Sequence, residues 1–296
     1  MLGSGLPLDE HSVVLITGGA RGITARLAIA LARRYHCRLE LVGRSPEPEG
    51  EESALTAGLK DARQIRQALI GADPRSKPAD IERMTREILA GREFRSTLAQ
   101  IAAAGSPVNY TQIDVRDIDT FAAFIESLYL LLGRIDGVIH GAGVVEDKLL
   151  RDKSLESFQR VFDTKVRGAL MLNKMIRDDV KFVVFFSSVA GAFGNRGQVD
   201  YASANDVLDK LAHAWQTRIS GRVLSVNWGP WADTGMVSEA LEREYARKGI
   251  GLIPQADGVN ALLRELASGG PGESQVVLMC GTPESFGEQP ALTARG

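Results

Sequence analysis

Short apolar runs alternate with longer amphipathic segments along most of the chain. Segments with a helical apolar period lie near 22–35, 117–132, 154–178, 199–219 and 255–267. The runs between them are predicted as strands, at 12–17, 38–43, 108–114, 136–141, 181–188, 222–229 and 274–280. Near-continuous apolar strands are typical of a parallel sheet that is covered on both faces. The alternation therefore predicts an α/β fold, Rossmann-like and doubly wound, with a mainly parallel seven-stranded sheet.

The crossover after the second strand is longer than a loop and one helix require. It runs from about 46 to 104 and contains two helical patterns, 61–74 and 76–105, after a polar loop. We expect a helical insertion at the sheet edge that elaborates packing, with a docking surface as the alternative. The catalytic domain is predicted over 12–280, and the polar tail 281–296 is predicted to be a linker.

Composition narrows the class of protein. The 296 residues are 44% hydrophobic and carry a formal net charge of −2, which allows a sizeable core and gives no sign of nucleic acid binding. The two cysteines are far apart in sequence, and the four histidines show no metal-ligand spacing. No apolar stretch could span a bilayer, and the first residues lack the core of a signal peptide. We expect a soluble, cytoplasmic protein that binds no metal, nucleic acid or membrane.

A glycine-rich turn, LITGGARGIT at 15–24, follows the first predicted strand and opens the first predicted helix. Gly18, Gly19 and Gly22 would let the backbone approach a pyrophosphate, which a helix N-terminus can bind. Thr24 stands where the fingerprint has its last glycine, so we expect either looser helix packing or a threonine contact there.

Two arginines favour a cofactor with a 2′-phosphate. Arg44 ends the second strand, where an NAD enzyme would place an acidic residue, and Arg21 lies inside the glycine turn. Guanidinium groups bind phosphates bidentately, so the pair favours NADPH. Asp114 is expected near the adenine amino group. The cofactor contacts predicted from the glycine turn and from the ends of the strands are Thr17, Gly18, Gly19, Arg21, Gly22, Ile23, Arg44, Ser45, Asp114, Val115, Gly141, Ala142, Gly143, Gly229 and Pro230.

Seven motifs occur along the chain in a characteristic order. They are TGGARGI (17–23), GRS (43–45), IDVRD (113–117), IHGAGVVEDKLL (139–150), VFDTKVRGALML (161–172), FFSSVAGAFGNRGQVDYASANDVLD (185–209) and SVNWGPW (225–231). Together they resemble the catalytic half of a ketoreductase domain from a polyketide synthase, over about residues 12–280. The long insertion and GGARGIT are most similar to the ketoreductases of polyunsaturated-fatty-acid synthases. The resemblance implies NADPH-dependent reduction of a 3-oxoacyl thioester on an acyl carrier protein.

The segment VDYASAND departs from the pattern of ordinary short-chain dehydrogenases. Those enzymes carry Y-x-x-x-K, whereas Tyr201 is followed at that spacing by Asn205. In the ketoreductases that the chain resembles, lysine and asparagine have exchanged places, which implies that Lys165 is the catalytic lysine. The resemblance further implies that Tyr201 donates the proton and that Ser188, chosen over Ser187 by its register, hydrogen-bonds the substrate oxygen.

The same resemblance gives the remaining catalytic roles. Asn205 would order a water or a backbone contact in the proton path. Lys165 would bind ribose hydroxyls, and both it and Tyr201 would therefore also contact the cofactor. Because a nearby ammonium favours the tyrosinate, we expect Lys165 to lower the pKa of Tyr201 from its ordinary value of about 10.

Three further residues are expected to face the acyl substrate. Val145-Glu146-Asp147 matches a Leu-Asp-Asp motif of family members that form the 3R alcohol, and it keeps the final acid. Phe193 stands where the opposite stereochemical class has tryptophan. The resemblance therefore favours a 3R product. Met236 belongs to 232–254, a segment with a short helix that could close over the acyl chain as a lid or simply pack on the core.

Two other functions stay open on the sequence alone: a freestanding reductase of coenzyme A thioesters or small ketones, and a non-catalytic NADPH-binding scaffold. Family domains usually include an N-terminal half without cofactor chemistry. Because eleven residues precede the first strand, we expect that half to be absent here. The chain would then be an excised portion of a multienzyme or a freestanding enzyme. The expected partners are an acyl carrier protein and other synthase domains, and association of identical chains is left open.

Overall fold

A parallel sheet lies between two layers of helices in the computed structural model, which describes residues 6–232, 239–247, 249–268 and 272–281. The strands are β1 (Val13–Thr17), β2 (Arg38–Gly43), β3 (Val108–Gln112), β4 (Gly137–His140), β5 (Phe182–Ser188), β6 (Arg222–Trp228), β7 (Ile250–Gly251), β8 (Gln275–Leu278) and β9 (Cys280–Gly281). The sheet order is β3-β2-β1-β4-β5-β6-β8, and every neighbouring pair is parallel. The predicted Rossmann-like doubly wound fold is confirmed.

Helices connect the strands, and several of them begin or end at a capping residue. They are α1 (Gly22–Tyr35), α2 (Ala62–Ala72), α3 (Pro78–Ala103), α4 (Ile118–Leu132), α5 (Leu155–Met175), α6 (Val189–Phe193), α7 (Val199–Gln216), α8 (Glu239–Arg247) and α9 (Gln255–Ala267). The side chains of Asp61, Asp117 and Ser154 accept backbone N–H groups at the starts of α2, α4 and α5. Gly133, in the left-handed conformation with φ +76°, ends α4.

The core consists of two layers, one on each face of the sheet. Val14 and Ile16 pack on the face covered by α1 and α9, whereas Leu15 packs on the face covered by α4, α5 and α7. Side chains alternate along a strand, so a strand that is apolar at every position fills both layers. This is the physical reason that the apolar runs identified the strands of the parallel sheet, whereas the short strands β7 and β9 were not predicted as separate strands.

Two strands, β3 and β4, are shorter than predicted, and an aspartate lies just outside each of them. The fourth strand was expected to begin at Asp136, but this carboxylate instead accepts the backbone N–H of Val13 at 2.9 Å and pairs with Arg134 and Lys181. Asp114 similarly lies beyond the end of β3 and pairs with Arg116. Asp136 thus ties the segment before β4 to the start of β1, whereas Asp114 makes a local pair after β3.

The long crossover between β2 and β3 contains the 26-residue helix α3. The C-terminal half of α3 covers the sheet, with Ile101 fully buried and Phe94 edge-to-face with Tyr110 of β3 at a centroid distance of 4.7 Å. The preceding loop is fastened to the same helix, because the guanidinium of Arg92 binds both carboxylate oxygens of Glu52 at 2.8 and 2.7 Å. The C-terminal half of α3 thus packs on the sheet as a crossover helix, and the loop before it is bonded to the same helix.

Part of the predicted lid and tail can be placed. Ile250 is buried in β7, which pairs antiparallel with β9, so Gly281 belongs to a strand rather than to the linker. Met236 and residues 282–296 lie outside the described residues. Over the described ranges, no helix is both long enough and apolar enough to cross a membrane.

Candidate active site

The described site residues lie at or follow the carboxyl ends of β1 to β6, or lie on α1, α5, α6 and α7. The strand order reverses between β1 and β4, and doubly wound sheets bind ligands at such a reversal. The first turn of α1 and the facing sides of α5 and α7 border the same region.

The glycine turn forms a tight cradle between β1 and α1. Gly18 has φ +72°, and a Cβ there would lie 3.1 Å from backbone atoms of Gly141 and Ala142. Gly22 has φ +64°, and a Cβ there would meet nothing within 4 Å. The turn therefore brings two backbone segments together and leaves open space beside the Cα atom of Gly22.

The sequence left two expectations for Thr24, looser helix packing or a contact by the threonine. The structure shows that Thr24 makes the contact. Its hydroxyl donates to the carbonyls of Gly18 and, at 3.0 Å, Arg21. Its methyl group fills the space in front of Gly141, where an added Cβ would clash with the Thr24 Cγ2 atom. The threonine thus closes the turn that a glycine would have left unfilled.

An acidic side chain from the crossover reaches this cradle. The backbone N–H of Gly22 donates to Glu93 Oε1 of α3 at 2.9 Å. This N–H belongs to the positive end of α1, which attracts anions. No sequence pattern predicted this contact, because 71 residues separate the partners.

The two arginines predicted for the 2′-phosphate lie beside the cradle. Arg21 Nη2 donates to Ser45 Oγ at 3.1 Å, and the Arg44 side chain is exposed. Asp114, predicted for the adenine amino group, is held by Arg116 at 2.6 Å, and this bond is the largest cause of its lowered pKa. Its carboxylate therefore already has a cationic partner.

The proposed catalytic lysine reaches the proposed proton donor. Lys165 of α5 is buried, and its Nζ lies 5.4 Å from the centre of the Tyr201 ring on α7. The same Nζ donates to the carbonyl oxygen of Phe186 at 2.6 Å, which fixes the ammonium between the two helices and β5. A lysine of α5 thus lies beside the ring of the tyrosine of α7.

Burial moves the pKa values of the two residues in opposite directions. It raises the pKa of Tyr201, opposed in part by the side chains of Asn205 and Ser188. It lowers the pKa of Lys165 to about 8. The expectation that Lys165 would lower the pKa of Tyr201 is therefore wrong for the net shift, because removing the phenolate from water outweighs the favourable contacts.

Asn205 holds the backbone of the tyrosine. It is fully buried, and its Nδ2 donates to the carbonyl oxygen of Tyr201 at 2.7 Å. Its Oδ1 is buried without a hydrogen-bond partner among the described residues. The amide thus makes a backbone contact on one side and offers an acceptor on the other.

The two serines at the end of β5 have different surroundings. Ser187 is buried and its hydroxyl binds Asn227 at 3.0 Å and the carbonyl of Asn205 at 3.3 Å. Ser188 is partly exposed and caps α6 by accepting the N–H of Ala190 at 3.1 Å. Ser188 is therefore the serine that can also meet a substrate.

A buried histidine joins β1, β4 and α5. His140 Nε2 lies 2.9 Å from the carbonyl oxygen of Lys165, and its Nδ1 lies 2.8 Å from Thr17 Oγ1. Burial lowers the pKa of His140 to about 4, so the ring is neutral at pH 7. Because a carbonyl only accepts, Nε2 carries the proton and Nδ1 accepts from the Thr17 hydroxyl. Thr17 is thus a structural link beneath the cradle.

Other predicted residues surround this centre. Gly229 N–H donates to the carbonyl of Leu278 at 2.8 Å, so its amide belongs to the sheet. Phe193 is 47% exposed at the end of α6. The Asp147 carboxylate accepts Gln198 Nε2 at 3.0 and 3.1 Å. The remaining predicted contacts also lie at strand ends or helix starts, namely Ile23, Val115, Ala142, Gly143 and Pro230.

Asp209 is a structural residue that the sequence reasoning missed. Its carboxylate accepts Ser225 Oγ at 2.5 Å, Asn227 Nδ2 at 2.8 Å and Gln275 Nε2 at 3.1 Å, which ties α7 to β6 and β8. The helical spacing of four that joins Tyr201 to Asn205 continues to Asp209 and could have identified it.

Comparison with known proteins decides the family. The sequence model of the KR domain matches residues 79–233, more than half of the chain. This chain belongs to the KR domain family. KR domains are nicotinamide-dependent reductases of the short-chain dehydrogenase type, so membership implies reduction of a ketoacyl group.

The relatives of this KR domain are large synthases. The chain is 33% identical over 279 residues to a polyunsaturated fatty acid synthase protein of Thraustochytrium sp., covering 90% of the chain and 10% of that protein. It is 34% identical over 299 residues to polyketide synthase ThaG of Burkholderia thailandensis, covering 98% of the chain and 4% of that protein. The chain therefore spans a tenth or less of these relatives.

Solved ketoreductases share the fold. A ketoreductase domain from the bacillaene assembly line is 28% identical with a TM-score of 0.73, and 97% of this KR domain covers 60% of that chain. An N-terminal ketoreductase from the macrolactin assembly line is 25% identical with a TM-score of 0.71, over 96% of this KR domain and 47% of that chain.

Proposed function

We propose that this KR domain uses NADPH to reduce a 3-oxoacyl thioester carried on an acyl carrier protein, in polyketide or fatty acid synthesis. The observation that carries the proposal is the placement of Lys165 Nζ 5.4 Å from the Tyr201 ring, at strand ends that also form a glycine cradle. The product is the 3-hydroxyacyl thioester.

The cradle and its arginines fit a phosphorylated nicotinamide nucleotide. A Cβ at Gly22 would meet nothing within 4 Å, the Arg21 guanidinium bonds to Ser45 Oγ, and the Arg44 side chain is exposed just after β2. Gly18, Gly19 and Gly22 would hold the pyrophosphate, and the two arginines would hold the 2′-phosphate. When bound, the nucleotide supplies the hydride that reduces the carbonyl carbon.

The side chains of the chain itself would handle the proton. A tyrosine with its ordinary pKa of about 10 is already protonated at neutral pH, and burial raises the pKa of Tyr201 further. This residue would give its proton to the carbonyl oxygen. Lys165, still mostly cationic at pH 7, would stabilise the negative charge that develops on that oxygen and on the phenolate. Ser188 would donate a second hydrogen bond to the oxygen, and Asn205 would hold Tyr201 by its backbone carbonyl.

We include a 3R product in the proposal, on the evidence of the acyl-facing loop, residues 145–147. Asp147 keeps the final acid of the Leu-Asp-Asp motif and is held beside α7 by Gln198, and Phe193 replaces the tryptophan of the opposite class. Chiral chromatography of the reduced thioester should show mainly the 3R alcohol, and mainly 3S alcohol would refute this part.

Turnover of matched thioesters tests the proposal. Consumption of NADPH and of NADH would be followed with one 3-oxoacyl group presented on an acyl carrier protein and on coenzyme A. We expect NADPH and the carrier-bound substrate to be preferred, each by about tenfold in kcat/KM. Equal or faster turnover of the coenzyme A thioester would favour a freestanding reductase, and NADPH binding without turnover of any ketone would favour a scaffold.

A further inference from the structure

A buried ion pair lies next to the candidate active site but is not part of it. Lys153, just before α5, and Asp200, in the first turn of α7, meet with their Nζ and Oδ2 atoms 2.5 Å apart. Each side chain is only 1% exposed. None of the roles proposed above uses either residue.

Both members of the pair make a second bond to a functional segment. Lys153 Nζ also donates to the carbonyl oxygen of Glu146 at 2.7 Å. Asp200 Oδ1 accepts the backbone N–H of Tyr201 at 2.9 Å. The pair therefore bridges the loop 145–147 to the backbone of the proposed proton donor.

The loop is fixed by further bonds on both sides. The Glu146 carboxylate is held by Ser157 at 2.7 Å and by Arg160 at 2.9 Å, and these contacts lower its pKa to about 2. The backbone N–H of Lys148 donates to the carbonyl of Gly197 at 2.9 Å. Between α5 and α7 the loop thus has little freedom, and the ion pair is its buried connection.

Burying two charges is an inefficient way to gain stability. The desolvation of both ions offsets much of their attraction, and apolar residues of similar size often serve a fold equally well. A charged pair does, however, fix the distance and direction of the groups it joins more strictly than apolar packing. Its second bonds show which groups are fixed here, namely the acyl-facing loop and Tyr201.

We propose that Lys153 and Asp200 are a positioning pair that sets the acyl-facing loop 145–147 relative to Tyr201. This inference rests on the proposed ketone reduction. The pair controls how the ketone is oriented when it meets the tyrosine, and so it affects both the turnover rate and the ratio of the two alcohol epimers.

The test removes both charges together, in the variant Lys153→Met with Asp200→Leu, so that neither ion is left buried alone. Because a small displacement of reacting groups greatly slows a reaction, we expect kcat to fall about tenfold or more. The epimer ratio should shift about fivefold or more in the same variant, whereas NADPH binding, measured by calorimetry, should stay within about twofold. Loss of stability alone would not move the epimer ratio.

A second ion pair provides the matched control. Arg222 of β6 and Glu265 of α9 also form a pair, with side chains 8% and 31% exposed, and neither of them bonds to the loop 145–147 or to α7. The variant Arg222→Met with Glu265→Leu should lower the melting temperature and leave the epimer ratio unchanged.

The outcomes separate this inference from the proposed function. A folded Lys153→Met, Asp200→Leu variant with kcat and epimer ratio within twofold of the unaltered chain would overturn the positioning role alone. An unaltered chain that turns over no ketone would overturn both proposals. If the double variant does not fold, Asp200→Asn decides, because it keeps an acceptor for the Tyr201 N–H; an unchanged kcat and epimer ratio would overturn the role.

Discussion

At the scale of single residues, burial moves the pKa values of Tyr201 and Lys165 in opposite directions and leaves both side chains mostly protonated at neutral pH. Burial makes Tyr201 hold its proton more tightly than an exposed tyrosine does, and the pKa of about 8 for Lys165 leaves most of the lysine cationic at neutral pH. The first of the two groups to change charge on going to alkaline pH is therefore the lysine. Its proximity to Tyr201 then matters through charge in the transition state rather than through the resting pKa of the tyrosine.

The pH dependence of turnover should report Lys165. The residue loses its proton as the pH rises through about 8, so kcat should fall above that pH. In Lys165→Met we expect kcat at pH 7 to be about 100-fold lower, since charge and proton-transfer effects of single groups have this size. Steady-state rates between pH 6 and 10 provide the measurement.

Lys181→Met is the control for this profile. Lys181 lies at the start of β5, where its Nζ bonds to the carbonyl of Pro7 and to Asp136. The control should keep both the rate and the alkaline fall. A rate for the unaltered chain that stays constant between pH 7 and 10 would contradict the role given to Lys165.

At the scale of elements, helix α3 reaches into the cofactor cradle. Glu93 accepts the Gly22 N–H at the start of α1, a donor that we propose to serve a phosphate. A carboxylate there competes with the phosphate for the donor and repels its charge. The crossover helix thereby affects a site that it would otherwise only flank.

Glu93→Gln should therefore strengthen NADPH binding. The amide removes the negative charge and keeps the size of the side chain, so we expect the Kd to fall about tenfold, equivalent to about 1.4 kcal/mol. Titration calorimetry measures this directly. Glu87→Gln, on the same helix with a side chain 62% exposed, should leave the Kd unchanged. Equal or weaker binding by Glu93→Gln would show that the two groups do not compete.

The buried His140, which joins β1, β4 and α5, should make the free energy of unfolding depend on pH. Unfolded His140 takes up a proton below about 6.5, whereas the folded residue stays neutral until the pH approaches 4. The unfolded state thus binds more protons in this window, and the free energy of unfolding should fall as the pH drops through it. The shift corresponds to about 3 kcal/mol.

Denaturant unfolding at pH 7 and pH 4.5 tests this linkage. His140→Asn should be less stable at pH 7 and should lose less stability on acidification than the unaltered chain. His213→Asn, which changes an exposed residue of α7, should behave like the unaltered chain. An equal loss of stability in all three proteins would contradict the assignment.

At the scale of the whole molecule, the fold could be predicted from the sequence, whereas the roles of the site residues stay predictions. The central strands β1, β4, β5 and β6 are buried on both faces over nearly their whole length, and the glycine turn and VDYASAND stand at fixed places relative to them. The predicted lysine on α5 indeed lies beside the tyrosine on α7.

What could not be predicted is the set of side-chain bonds between distant segments. Glu93 with Gly22 and Lys153 with Asp200 leave no periodic pattern, because each pair depends on how two loops or helices approach in three dimensions. The net pKa shift of Tyr201 was also missed, since it is dominated by burial, which a motif does not reveal.

The most direct test of the central claim is single-site removal of the Tyr201 hydroxyl. NADPH consumption with a generic ketone such as trans-1-decalone would be measured for the unaltered chain, Tyr201→Phe and the control Tyr129→Phe, whose hydroxyl accepts the Arg177 N–H at 3.0 Å away from the site. We expect Tyr201→Phe to bind NADPH normally and to lose turnover by about 1,000-fold or more, while Tyr129→Phe keeps its turnover. Turnover retained by Tyr201→Phe would contradict the assignment of this tyrosine as the proton donor.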